Sequence, residues 1–290
     1  MIFSCFVIMS VIGCAPKTAP PPQAVSTKPA RVALVLGAGS AKGFAHIGVI
    51  KVLESQKVPI HMVVGTSAGS FVGSVYAYGY NAYEMQNMSF ALERDDVFDF
   101  VIPDNGFVKG EKLQNYVNKT LRNTPLEKLK IPFYAIATDI QSGEEVGFAT
   151  GNAGIAVRAS CSIPGVFQPA KISGKTYVDG GVVSPVAVDF ARKQGADVVI
   201  AVDISAGIGG AVPKGTIDTI LQSIDIMHSK ISEAQLSKAD VVIKPKVGYI
   251  GASDLTKRHE AVLEGEKAAL AAMPAINNIL ARLRTEGRMP

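Results

Sequence analysis

The chain has 290 residues, 48% of them apolar and 19% charged, with a formal net charge of +4. That balance excludes a disordered tail, a collagen-like repeat and a strongly basic nucleic-acid binder. Trp is absent and aromatics make up only 7%, which argues against a base-stacking surface, so no nucleic-acid partner is expected.

Residues 1–13 (MIFSCFVIMSVIG) form an uncharged apolar run that stops before Pro16 and Lys17. A membrane-spanning helix needs roughly 20 apolar residues, so the run is too short to span and fits a secretory signal. Its end, Val11-Ile12-Gly13-Cys14, resembles a bacterial lipobox, although Val stands where Leu is commonest and no Lys or Arg precedes the run. The resemblance implies a lipidated Cys14. Residues 14–29 are then the lipidated Cys and a Pro-rich tether, since Pro16, Pro20, Pro21, Pro22 and Pro29 favour extended chain. By resemblance to the sorting rules of such lipoproteins, Ala15 rather than Asp after the Cys favours the outer membrane, facing the periplasm of a bacterial envelope, over the inner one. Residues 30–290 form the body. Its only cysteine is Cys161, so no disulfide forms within it.

The body alternates strand and helix patterns. Arg31 to Leu36 is a β-rich run, followed by Phe44, Ile47, Ile50 and Leu53 at helical spacing. Ile60 to Val64 predicts a strand and Ala68 to Tyr80 a helix. Asn81 to Phe100 reads as helical, then irregular. Glu111 to Leu121 predicts an amphipathic helix. Strands are predicted at Pro132 to Thr138, at Glu145 to Ala149 and from Thr176 into Asp179. Pro185 to Lys193 reads as helix, and Ala196 to Val202 as a strand buried on both faces. Ile217 to Leu236 predicts a helix, Val241 to Ile243 a strand, and Leu255 to Arg284 one or two closing helices. The pattern predicts an α/β fold with a mostly parallel sheet.

Three short motifs carry chemistry. Gly37-Ala38-Gly39-Ser40-Ala41-Lys42-Gly43 joins a strand to a helix, where small residues and free amides suit an anion. A dinucleotide fingerprint fails on glycine spacing and on the missing ribose acid, and a P-loop fails because Phe44 follows Gly43. Gly65-Thr66-Ser67-Ala68-Gly69 is a G-x-S-x-G motif between strand and helix, the setting of a nucleophile elbow. The plain alternative is a serine capping the next helix. Asp179-Gly180-Gly181 places a carboxylate on a turn.

In this order, with Arg158 to Pro169 and Asp179 to Pro185, these motifs resemble the patatin-like phospholipase family over nearly all of residues 31–205. The resemblance implies a three-layer α/β/α fold and hydrolysis of lipid carboxylic esters. It implies a Ser67–Asp179 dyad without histidine and an oxyanion hole in the loop formed by Gly37, Ala38, Gly39, Ser40, Lys42 and Gly43. Gly65, Gly69, Gly180 and Gly181 complete the motifs. An exposed Asp is a poor base, so a partly desolvated Asp179 is expected. No cofactor is implied. No Cys/His cluster has metal-ligand spacing and no dense acidic loop suits Ca²⁺.

Other readings stay open. His228 and His259 follow the acid, as a triad requires, but their helical and charged settings place both on the surface. His46 and His61 precede Ser67 and fit that order poorly. Asp139 and Asp203 also end strand-like runs. Cys161 reads as a packing residue, and Lys42 as solvated or acting locally on backbone or anion. Asn81 to Gly110 mixes Tyr83, Met85, Met88 and Phe90 with charges, as a lid or an ordinary core stripe would. A membrane-anchored binding module and an esterase or thioesterase of small soluble substrates are the competing functions.

Overall fold

A computed structural model describes residues 28–102, 105–205, 213 and 215–289. The leader 1–13, Cys14 and the tether through residue 27 lie outside the described residues.

Strand β1 (Val32–Leu36) leads through the glycine loop and a 3-10 turn (Ser40–Gly43) into α1 (Phe44–Ser55). Then come β2 (Met62–Thr66), α2 (Ala68–Tyr78), α3 (Ala82–Ala91), α4 (Arg94–Val97) and α5 (Glu111–Thr120). Next follow β3 (Phe133–Asp139), β4 (Glu145–Phe148), α6 (Ala153–Ser160), β5 (Ala170–Ile172) and β6 (Lys175–Asp179). The chain closes with α7 (Val188–Lys193), β7 (Val198–Val202), α8 (Thr216–Leu236), β8 (Val241–Ile243) and α9 (Arg258–Thr285).

The sheet order is β5-β6-β3-β2-β1-β7-β8, with β4 also pairing β3. Pairs β3–β2, β2–β1, β1–β7 and β7–β8 are parallel. Strands β4, β5 and β6 add an antiparallel flank. Strand side chains alternate between faces. Val32, Leu34, Leu36, Val63, Ile200 and Val202 enter a large core with α1, α2, α5, α6 and α9. Ala33, Val35, Met62, Val64, Val199 and Ala201 enter a smaller one with α7. Such strands, covered on both faces, read as continuous apolar runs because neither face meets water. The expected three-layer α/β/α architecture is therefore the one observed.

Two local expectations change, and the closing segment resolves to one of its two expected forms. Helix α7 starts at Val188 rather than near Pro185, because the preceding segment instead supplies loop contacts: Pro185 O accepts the Ala38 amide at 2.9 Å. Helix α6 and strand β5 were not foreseen; α6 is rich in Ala and Gly and carries little amphipathic pattern. The closing segment is one long helix after a short 3-10 turn (Leu255–Lys257), and it runs through Pro274. Helix α9 lies against α1 so closely that a Cβ on Gly48 would overlap the Val262 carbonyl.

Candidate active site

Strand register builds the site. Thr66 at the end of β2 pairs with Ile136 of β3, and Ala137 of β3 pairs with Asp179 of β6. Ser67 and Asp179 therefore reach the same level of the sheet, on either side of β3. The glycine loop leaves the end of β1 next door.

Ser67 has φ 54° and ψ −122°, a strained conformation for a residue with a side chain. The turn is held from all sides. The Ser67 amide donates to Ser160 Oγ at 2.9 Å, and Ser160 Oγ donates in turn to the Ile136 carbonyl. Thr66 Oγ1 donates to the Ser184 carbonyl at 3.0 Å. Gly69 approaches β1 so closely that a Cβ there would overlap the Leu36 carbonyl. The Ser67 side chain makes no capping bond to α2, which removes the helix-cap reading; the hydroxyl bears instead on the Asp179 carboxyl.

Asp179 is 1% exposed. Its Oδ1 accepts the Gly181 amide at 2.7 Å, while its buried Oδ2 makes no full hydrogen bond. Burial pushes the carboxyl up to about 7, and the Ser67 hydroxyl and the Gly181 amide offset part of that rise. A desolvated carboxylate with no cation partner, beside a hydroxyl, can accept a proton near neutral pH.

The glycine loop is fixed by backbone bonds. The Gly37 amide donates to Val202 O, Ala41 to Ala252 O and Lys42 to Gly39 O. Among the described residues, the amides of Gly39 and Ser40 have no acceptor, nor does that of Ala68 at the start of α2. A Cβ on Gly43 would lie 2.7 Å from Ala68 Cβ, so the loop sits directly against the elbow. Unpaired amides gathered beside a nucleophile can hold a developing oxyanion.

Ser67 opens into an apolar cavity of about 200 Å³. Phe44, Ile47, Phe71, Val75, Met85, Met88, Leu92 and Leu221 form much of its wall. Arg94 is its one charged lining residue among those described, and it lies over the rings of Phe98 and Phe100. Met85, Met88, Leu92, Val97, Phe98 and Phe100 bring the segment after α2 into this wall, and Met85, Leu92 and Val97 also join the core. Arg258 of α9 ties the segment down by donating to the carbonyls of Ser89, Phe90 and Leu92.

The other sequence candidates fall outside the chemistry. His228 is the main correction: it is 6% exposed, not on the surface, and its ring lies against Gly181. Its place on a buried helix face could not be read from order in the chain. Burial pushes its imidazole down to about 4. His259 is exposed and stacks on Phe90. His46 is buried; its Nε2 bonds the Gly37 carbonyl at 2.9 Å, and burial pushes it down to about 4. His61 Nδ1 accepts the Val32 amide. Asp139 pairs with Lys175 and Asp203 with Lys244. Cys161 is buried beside Ser70, and burial holds its thiol far above the usual range. Lys42 is 1% exposed rather than solvated, and its ammonium meets Asp225 at 2.5 Å. Asp225 and Ser160 were missed by sequence reasoning. A polar stripe at Asp225, His228 and Ser232 on α8 was the available signal for Asp225; no spacing marks Ser160.

Among the described residues, no group of His, Cys, Asp and Glu could hold a metal ion, and no helix is long and apolar enough to cross a membrane.

The chain is similar to several known proteins. An uncharacterised NTE family protein of Mycobacterium bovis is 35% identical over 183 residues, 62% of this chain and 51% of the relative. Lysophospholipase NTE1 of Pyricularia oryzae is 28% identical over 292 residues, 89% of this chain and 19% of the relative. The chain thus spans about half the length of the first relative and a fifth of the second. VipD from Legionella pneumophila aligns structurally with TM-score 0.49 and 14% identity, over 87% of this chain and 67% of VipD. The patatin-like phospholipase family description matches residues 34–192, and the chain belongs to that family.

Proposed function

We propose that the protein is a serine acyl hydrolase that cleaves carboxylic esters of lipids. The observation that carries this reading is the Ser67 hydroxyl on a strained elbow, beside a buried Asp179 that has no cation partner among the described residues, at the end of an apolar cavity. Family membership and the lysophospholipase name of the fungal relative support a lipid ester as substrate.

In this reading Asp179 takes the proton from Ser67 as Oγ attacks the ester carbonyl. The amides of Gly39 and Ser40, with that of Ala68, hold the tetrahedral oxyanion. As the intermediate collapses, Asp179 returns its proton to the departing alkoxide. Water then attacks the acyl-serine, Asp179 accepting a proton from it and passing that proton to Ser67 Oγ. The cavity holds the acyl chain, which favours a lipid over a small soluble ester. The Lys42 side chain points away from the cavity and contributes through its loop.

The test is acyl release from phospholipid vesicles and from a short nitrophenyl ester, with Ser67→Ala beside the parent protein. Release from both, abolished in the variant, is expected. Release from the short ester alone points to a small-ester enzyme, and none from folded protein points to a binding module. Val11 to Cys14 supports a further proposal, lipid attachment at Cys14 and an outer-membrane location. Incorporation of labelled fatty acid, lost in Cys14→Ser, is the expected result.

A further inference from the structure

We propose that α8 aligns the two halves of the active site, with Asp225 acting through Lys42 as the positioning residue for the oxyanion loop. The inference rests on the functional reading above and deepens it.

Lys42 sits in the middle of the glycine loop. Its neighbours Ser40, Ala41 and Gly43 line the cavity, and Lys42 does not. Its side chain is buried on the opposite side of the loop, where Asp225 Oδ2 receives the ammonium. An ammonium taken out of water is costly unless paired. Even when paired, such an ion pair rarely adds stability over apolar residues of similar size; its best-attested role is to fix one register. The register fixed here is that of the segment carrying the free Gly39 and Ser40 amides.

The same face of α8 reaches the acid. Its buried positions are Leu221, Asp225, His228 and Ser232, one helical stripe. Leu221 forms part of the cavity wall. His228, one turn beyond Asp225, fills the space a side chain on Gly181 would need, and the Gly181 amide holds Asp179 Oδ1. Two turns further on, Gln235 donates to Val183 O and accepts the Val186 amide. That segment also holds the glycine loop, through Pro185 O and the Ala38 amide. One helix therefore touches the acyl cavity, the oxyanion loop and the acid turn.

The experiment uses the full chain and a soluble nitrophenyl ester, with Ser67→Ala run first to establish the reaction. Asp225→Asn is expected to lower kcat about 10- to 100-fold, since a misplaced oxyanion donor costs up to about 10²–10³-fold. KM should stay within about twofold, because the cavity wall is unchanged. Asp225→Glu, which keeps the carboxylate, should recover most of the loss. Asp225→Asn leaves a buried charge, so the double variant Lys42→Met/Asp225→Leu tests the same point without one. It is expected to fold and to remain slow. Parental kcat in Asp225→Asn, or in the folded double variant, overturns the proposal while leaving the Ser67 reading intact. No effect of Ser67→Ala overturns the functional reading itself.

Discussion

Asp225 and Asp179 are both buried, and their surroundings are opposite. Asp225 meets the Lys42 ammonium directly. Asp179 has one oxygen on a backbone amide and the other without a full hydrogen bond. Pairing satisfies the first and commits it to structure. Isolation leaves the second destabilised as an anion and therefore able to take a proton. Burial alone does not make a base; burial without a cation does.

That contrast is broken most severely by Asp179→Asn. We expect kcat/KM to fall by roughly 10⁴-fold, the scale seen when a buried catalytic carboxylate is made an amide. In the parent protein the rate should rise with pH through about 7, the value to which Asp179 is pushed, and fall about tenfold per unit below it. A steady-state pH profile checks both, and an acid limb near 4 would contradict the isolation of the carboxyl.

Stability should separate the two residues by sign. Asp179 has a folded-state value raised above its unfolded 3.8, so its contribution is fully present below about pH 4 and lost as pH rises through about 7. Asn stays neutral throughout. Asp179→Asn should therefore be more stable than the parent at pH 8, by on the order of 4 kcal/mol, with the gain vanishing near pH 4. Asp225→Asn should instead lose about 3–5 kcal/mol at pH 8, because Lys42 is left buried and unpaired. Urea unfolding at the two pH values measures both, and equal signs would erase the distinction.

The smallest expected effect sharpens the cavity side. Met88→Trp narrows the acyl cavity, so kcat/KM for a long-chain nitrophenyl ester should fall about tenfold relative to a short-chain one. An equal loss on both would mean that Met88 does not contact the chain.

Much of this was legible in the sequence because it is local. A strand running into small residues, then a helix, marks both the glycine loop and the elbow. Apolar runs such as Val198–Val202 reveal a doubly covered sheet. Asp179 was visible only through its resemblance to a family motif, since nothing in the 111 intervening residues states that it will flank Ala137 beside Ser67. Helix α8 was predicted as a helix, yet its orientation was not. Helical spacing tells which residues share a face, but not that the face carrying Asp225 and His228 turns toward the site. Lys42 was misread for the same reason: its counter-ion stands 183 residues away. Helix α6 escaped because its Ala- and Gly-rich residues pack by closeness rather than by amphipathic pattern.

The elbow also bears on how such a protein can change over generations. Gly65, Gly69 and Gly43 have no room for a Cβ, so replacing them damages the packing of β1, β2 and α2 together with the chemistry. Ser67 and Asp179 are different. A glycine at position 67 would relieve a positive φ, and a neutral residue at 179 would remove an unpaired charge. A lineage that no longer needed catalysis would have two stabilising single steps open to it and a fold that survives both. A chain that still carries both residues keeps them at a thermodynamic disadvantage, as the proposed acyl-transfer reaction would require.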